Sequence, residues 1–144
     1  MLGTPALDAF ISRSFTAIVT TVRKNGSPSS SMVSYARLDN RLYFSTTVGR
    51  VKGHTLQNDP RIAVCVINET EPNTYATVEG TVVIHRDNPR ALHERIYAYW
   101  ETFAATYPKC PWVILGREKL ETMWAQPGRA IFEVVPNRVS GYLL

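Results

Sequence analysis

Two cations one residue apart, Arg50 and Lys52, follow a run of hydroxyl and small residues, Ser45-Thr46-Thr47-Val48-Gly49. An arginine guanidinium can chelate two phosphate oxygens and a lysine ammonium adds a compact point charge. The unpaired amides of a helix start contribute hydrogen bonds and a favourable dipole. On a segment that leaves a strand and enters a helix, all these donors converge on one spot the size of a phosphate. No Gly-rich phosphate fingerprint is present, so two readings stay open from spacing alone, a phosphate site and a polar loop with two solvated cations.

The second candidate is Ser29-Ser30-Ser31-Met32-Val33-Ser34-Tyr35. An inward face of small residues, Ser31 to Ser34, would leave room and hydrogen-bonding groups for a flat ring where a barrel strand normally presents Val or Ile. A solvated, serine-rich edge strand fits the same pattern. Other constellations are weak. His54, His85 and His93 lack metal-ligand spacing and neither Cys65 nor Cys110 lies in a pair motif, so no metal site is expected. No serine is framed as a nucleophile elbow, and the catalytic residue stays unknown, with solvent or Tyr35 as the candidate proton donors. Glu79, beside Gly80 in an apolar run, has two readings, a buried functional carboxylate and, favoured by the pattern, an outward residue paired with a neighbouring cation. Trp100, Phe103, Tyr107, Trp112 and Trp124 read as core or subunit-interface aromatics, one or two of them on a pocket rim.

These groups need a scaffold. Thr4 and Pro5 cap a short opening helix carrying Leu7, Phe10 and Ile11. Phe15 to Val22 is a β-branched and aromatic strand that ends at the turn dipeptide Asn25-Gly26. Ser29 to Leu38 is read as one strand, turning at Asp39-Asn40 into a third, Arg41 to Ser45. A short helix is expected over Val51 to Asn58, closed by Asp59-Pro60. Arg61 to Asn68 reads as a strand buried on both faces, and Tyr75 to His85 as another. Asp87 is read as the cap of the longest helix, which runs to Tyr107-Pro108; a Pro-rich break and a helical stretch over Trp112 to Met123 come next. Ala130 to Val135 and Arg138 to Leu144 read as two closing strands around Pro136-Asn137. The expected fold class is mainly β, a six-stranded antiparallel split β-barrel with peripheral helices, because closure removes exposed edges.

At 144 residues, 44% hydrophobic and 19% charged, the chain suits one domain over 1–144 with a single core. A net charge of +4 favours anionic ligands, yet the cations are scattered rather than clustered with aromatics, which argues against nucleic acid. No apolar run reaches membrane-spanning length. The start, Met1-Leu2-Gly3-Thr4-Pro5, has no basic region followed by an apolar one, so cytoplasmic residence is expected.

The order of these pieces resembles the pyridoxamine 5′-phosphate oxidase-like split β-barrels, especially the actinobacterial branch that uses the deazaflavin coenzyme F420. The resemblance rests on Ser31-Met32-Val33-Ser34-Tyr35, on Leu42-Tyr43-Phe44-Ser45-Thr46 leading to Arg50-Val51-Lys52, and on Asn58-Asp59-Pro60-Arg61. Tyr75-Ala76-Thr77-Val78-Glu79-Gly80-Thr81 and the ending Pro136-Asn137-Arg138-Val139-Ser140-Gly141-Tyr142 complete it. The resemblance implies a cofactor-binding homodimer with sites at the subunit interface. It makes Ser45, Thr46, Arg50 and Lys52 phosphate-tail ligands and places Ser31, Met32, Val33 and Ser34 beside the ring. It further implies hydride transfer from reduced F420 to an electron-poor small molecule, the alternatives being an FMN enzyme or a non-catalytic flavin or tetrapyrrole carrier. The Arg-x-Lys spacing and the missing Arg-rich substrate motif argue against vitamin B6 oxidation.

Overall fold

The computed structural model describes residues 1–87, 89–107 and 110–144, and only the backbone of 111–113. Helix α1 (Pro5–Ser12) starts as its sequence dictates: the Thr4 hydroxyl accepts from the Leu7 amide, and Pro5 occupies the first turn. Strands β1 (Thr16–Val22), β2 (Pro28–Ser34), β3 (Ala36–Leu38) and β4 (Arg41–Thr47) follow, then α2 (Val51–Asn58), β5 (Arg61–Ile67) and β6 (Tyr75–His85). The chain continues through α3 (Arg90–Glu101), α4 (Pro111–Trp124) and β7 (Arg129–Tyr142).

The strands form one antiparallel sheet in the order β2-β1-β5-β6-β7-β4-β3. Its two edges, β2 and β3, are consecutive in sequence and joined through Tyr35 alone. The sheet is therefore curled until its edges meet, a split barrel. Here the sequence-based count needs correction: the run from Ser29 to Leu38 is two short strands rather than one, because at Tyr35 the chain leaves the partner β1 and takes up β4. The two expected closing strands are in turn a single β7. A register shift at Glu79/Gly80 lets Pro136 pass within it, since a bulge relieves the ladder bond that proline cannot donate. The split and the merger cancel, so the seven runs read from the sequence correspond to seven strands, one more than the six-stranded class expected.

The barrel interior collects alternate residues of every long strand, including Val19, Phe44, Val64, Val78 and Phe132, and α1 adds Phe10 and Ile11 at one end. The rings of Phe44 and Phe132 stack 5.3 Å apart. β5 is buried on this face, while Ala63, Cys65 and Ile67 on the other are half-buried, short of the double burial its apolar run suggested. A second cluster lies outside the barrel, where Ile96 and Trp100 of α3 pack on Ala36, Tyr43 and Ile131.

α3 is shorter than its pattern implied. Asp87 adopts a left-handed backbone and does not cap it; the cap position is Pro89, with no side-chain bond. α4 spans more residues than α3 but is broken at Gly116, whose φ of 78° is not helical. The expected break at Pro108 lies outside the described residues, as does the Trp112 side chain. Among the described residues no helix is long and apolar enough to cross a membrane.

Candidate functional site

β4 sets the site. Its interior face presents Leu42, Phe44 and then Thr46 to the barrel, while its other face presents Tyr43 and then Ser45 toward α3. Pairing with β7 brings Arg129 opposite Thr47, on the same face of the sheet as Ser45, whose hydroxyl it reaches. The chain then turns through Val48 and Gly49 into α2, whose first turn has no side-chain cap and so leaves its amides available to a ligand. Gly53 permits this turn, since a side-chain carbon there would run into the Thr47 carbonyl oxygen. Without that close approach Arg50 and Lys52 could not sit beside the end of β4.

These elements enclose a cleft of about 370 Å³. Its walls come from Met32, Val33 and Ser34 at the end of β2 and from Ser45 and Thr46 on β4. Arg50, Lys52 and Arg129 are cationic, and Trp100, Leu120, Met123 and Trp124 cover them. α4 is joined to α3 by two ion pairs, Arg117 of α4 with Glu94 of α3 and Glu121 of α4 with Arg90 of α3 at 3.1 Å, while Arg117 also pairs with Glu121 within α4. The Arg117 guanidinium also lies over the Tyr97 and Trp124 rings.

Arg129 is 6% exposed yet faces no carboxylate among the described residues. Its guanidinium donates to the Met123 carbonyl at 3.1 Å, to Gln126 Oε1 at 2.6 Å and to Ser45 Oγ at 3.4 Å. Burial and the nearby Arg50 charge both lower its pKa, and the same two causes lower that of Lys52. Buried cations without counter-charges are costly, and the cost is relieved when an anion enters. His93 is fully buried, its Nε2 3.0 Å from Ser45 Oγ and its ring stacked 4.8 Å from that of Trp124. Burial first, and then the Arg129 and Arg90 charges, pull it down to about 4, so it is neutral near pH 7.

Of the residues expected from sequence, Met32, Val33, Ser34, Ser45, Thr46, Arg50 and Lys52 meet in this one cleft. Ser31 does not. It pairs with Val19 on the solvated length of β2, so the open question about that strand resolves into a solvated serine edge whose last three residues enter the cleft. Tyr35 is removed as a proton donor: it is fully buried and its hydroxyl donates to the Ile11 carbonyl at 2.6 Å, inside the core. Glu79 is exposed and faces Arg138 at 3.8 Å, as its pattern suggested.

Sequence reasoning missed Arg129, Leu120 and Met123 as cleft residues, and His93 as the residue behind Ser45 in the cleft wall. For Arg129 a signal existed in a lone cation between the Gln126-Pro127-Gly128 turn and a buried apolar strand. Its meaning required knowing that β7 pairs with β4.

Comparison with known proteins starts from the family model described as pyridoxamine 5′-phosphate oxidase, which matches residues 4–142. The chain belongs to that family. No curated protein matches it. Among solved structures, an F420 reductase is 22% identical, with a TM-score of 0.70 over 92% of this chain and 94% of the other. A FAD-binding protein from Mesorhizobium loti is 16% identical with a TM-score of 0.66, covering 97% and 94%. A heme storage protein from Vibrio cholerae is 13% identical with a TM-score of 0.68, covering 99% and 95%. At these identities the likeness is one of fold, a fold shared by an F420 reductase, a FAD-binding protein and a heme storage protein.

Proposed function

We propose that the chain is an F420H2-dependent reductase that passes a hydride to an electron-poor double bond or conjugated small molecule. The observation that carries this reading is Arg129, a buried cation facing no carboxylate among the described residues, which lines one cleft with Ser45, Thr46, Arg50 and Lys52. Every polar side chain of that set donates or can donate, which suits the phosphate of a cofactor tail. Ser45, Thr46, Arg50, Lys52 and Arg129 would hold the phosphate, and Met32, Val33 and Ser34 would line the part of the cleft left for the ring. Reduced deazaflavin supplies the hydride when bound; the protein orients it, and Trp100, Leu120 and Trp124 keep water from it.

The same reading takes residues 1–144 as one cofactor-binding domain, functioning in the cytoplasm as a homodimer with the cofactor at the subunit interface. The donor set reads only a phosphate tail, which FMN shares, so an FMN-dependent oxidase or reductase is the second reading. A non-catalytic flavin or tetrapyrrole carrier is the third. Titrating purified protein separately with F420 and FMN, with cofactor fluorescence as the signal, is the test. Micromolar binding of F420 is expected, and FMN binding without F420 binding would reject the leading reading. Turnover of quinones, nitro compounds or enones with F420H2 then separates an enzyme from a carrier.

A further inference from the structure

Ser45 Oγ has two neighbours inside the cleft wall, His93 Nε2 at 3.0 Å and Nη1 of Arg129 at 3.4 Å. A hydroxyl has one proton and two lone pairs, and a guanidinium can only donate, so Arg129 occupies one lone pair. The neutral imidazole of His93 then uses the serine in one of two opposite ways. With its proton on Nδ1, Nε2 accepts the serine proton, and Ser45 has nothing left to give a ligand. With its proton on Nε2, the imidazole donates to Oγ, both lone pairs are filled, and the serine proton is left to point at whatever acceptor enters the cleft.

The other ring nitrogen distinguishes the two. Nδ1 is buried and has no hydrogen-bond partner among the described residues. A proton there would be a buried donor without an acceptor, a situation proteins almost never leave standing, whereas an unpaired acceptor is more often tolerated. The stack on Trp124 fixes the plane of the ring and keeps Nε2 aimed at the serine. We infer that His93 is a positioning residue held as the Nε2–H tautomer, which makes Ser45 an obligate donor to an acceptor-only anion such as the phosphate of a cofactor tail. This rests on the phosphate reading of the cleft and deepens it: the site selects its ligand by offering only protons, so a group that brings protons of its own finds no acceptor at Ser45.

Long-range 1H–15N spectra of histidine-labelled protein report the tautomer directly, with the His93 signals assigned by their loss in His93→Phe. The Nε2–H pattern is expected in the free protein and at saturating inorganic phosphate; the Nδ1–H pattern in the free protein would overturn the inference. Binding supplies the second measurement. His93→Phe keeps an aromatic ring for Trp124 but loses the donor, and Ser45→Ala loses the hydroxyl. Each is expected to weaken F420 and FMN, whichever binds, about tenfold, which is the scale of one charge-assisted hydrogen bond. The double variant should be no weaker than either single one, and riboflavin and the phosphate-free deazaflavin core should bind as to wild type. Equal losses for phosphorylated and phosphate-free ligands would assign His93 a merely structural role and reject the proposal. If wild type binds phosphorylated and phosphate-free ligands equally, the phosphate reading of the cleft fails, and the tautomer spectrum still decides the role of His93.

Discussion

The barrel interior and the cleft at its rim are built from the same strands by opposite rules. Inside, Phe44 and Phe132 stack at 5.3 Å with neither more than 1% exposed, and the neighbouring positions are apolar. Two residues further along β4, and three back along β7, Thr46 and Arg129 bury polar groups, and Arg129 has no counter-charge among the described residues. Core packing gains free energy from every contact, whereas the cleft holds groups that are best satisfied by something the chain does not contain. The contrast separates residues that keep the fold from residues that, on the proposed function, hold a ligand.

That separation can be broken most sharply from the core side. Phe132→Ala should cost about 3–5 kcal/mol of stability by urea denaturation, since it removes a fully buried ring and leaves a cavity against Phe44. From the cleft side, Arg50→Ala with Lys52→Ala should weaken binding of a phosphorylated cofactor by about 3 kcal/mol, roughly a hundredfold, because charge-assisted bonds contribute about 1.5–3 kcal/mol each. Its stability should move by less than about 0.5 kcal/mol, as neither cation has an ion-pair partner among the described residues. Unchanged affinity would return the segment to a solvated loop.

His93 belongs to both regions and gives the comparison a pH axis. It titrates near 4 in the folded protein against an ordinary 6.5, so between these values the unfolded chain takes up a proton that the native state refuses. Stability is therefore full above pH 6.5 and falls as pH drops toward 4, by roughly 1–3 kcal/mol. His93→Phe should flatten this part of the profile, which thermal melts across pH 4–7 would record. The smallest effect is expected far from both regions: Glu79→Gln, which removes an exposed pair with Arg138, should change stability by less than about 0.5 kcal/mol and leave cofactor affinity alone.

Local order was legible in the sequence wherever short-range chemistry decides. The Thr4-Pro5 helix start, the turns at Asn25-Gly26 and Asp39-Asn40, the extent of α2 and that of β6 all follow from caps, turn residues and periodicity. So did most of the cleft, because Ser45, Thr46, Arg50 and Lys52 lie within eight consecutive residues and needed only a strand end followed by a helix. The switch of partners at Tyr35 was not legible: its neighbours carry the same extended pattern on both sides, and which edge each half joins depends on the curl of the whole sheet.

The Arg50-Val51-Lys52 segment was thus determined by sequence as a place where an anion could bind. Tertiary structure alone decided that it faces a buried Arg129 from the far end of the chain and a Ser45 tied to His93. The physical reason is that cation spacing is a property of neighbouring residues, while burial without a counter-charge exists only after distant strands have paired and removed the water.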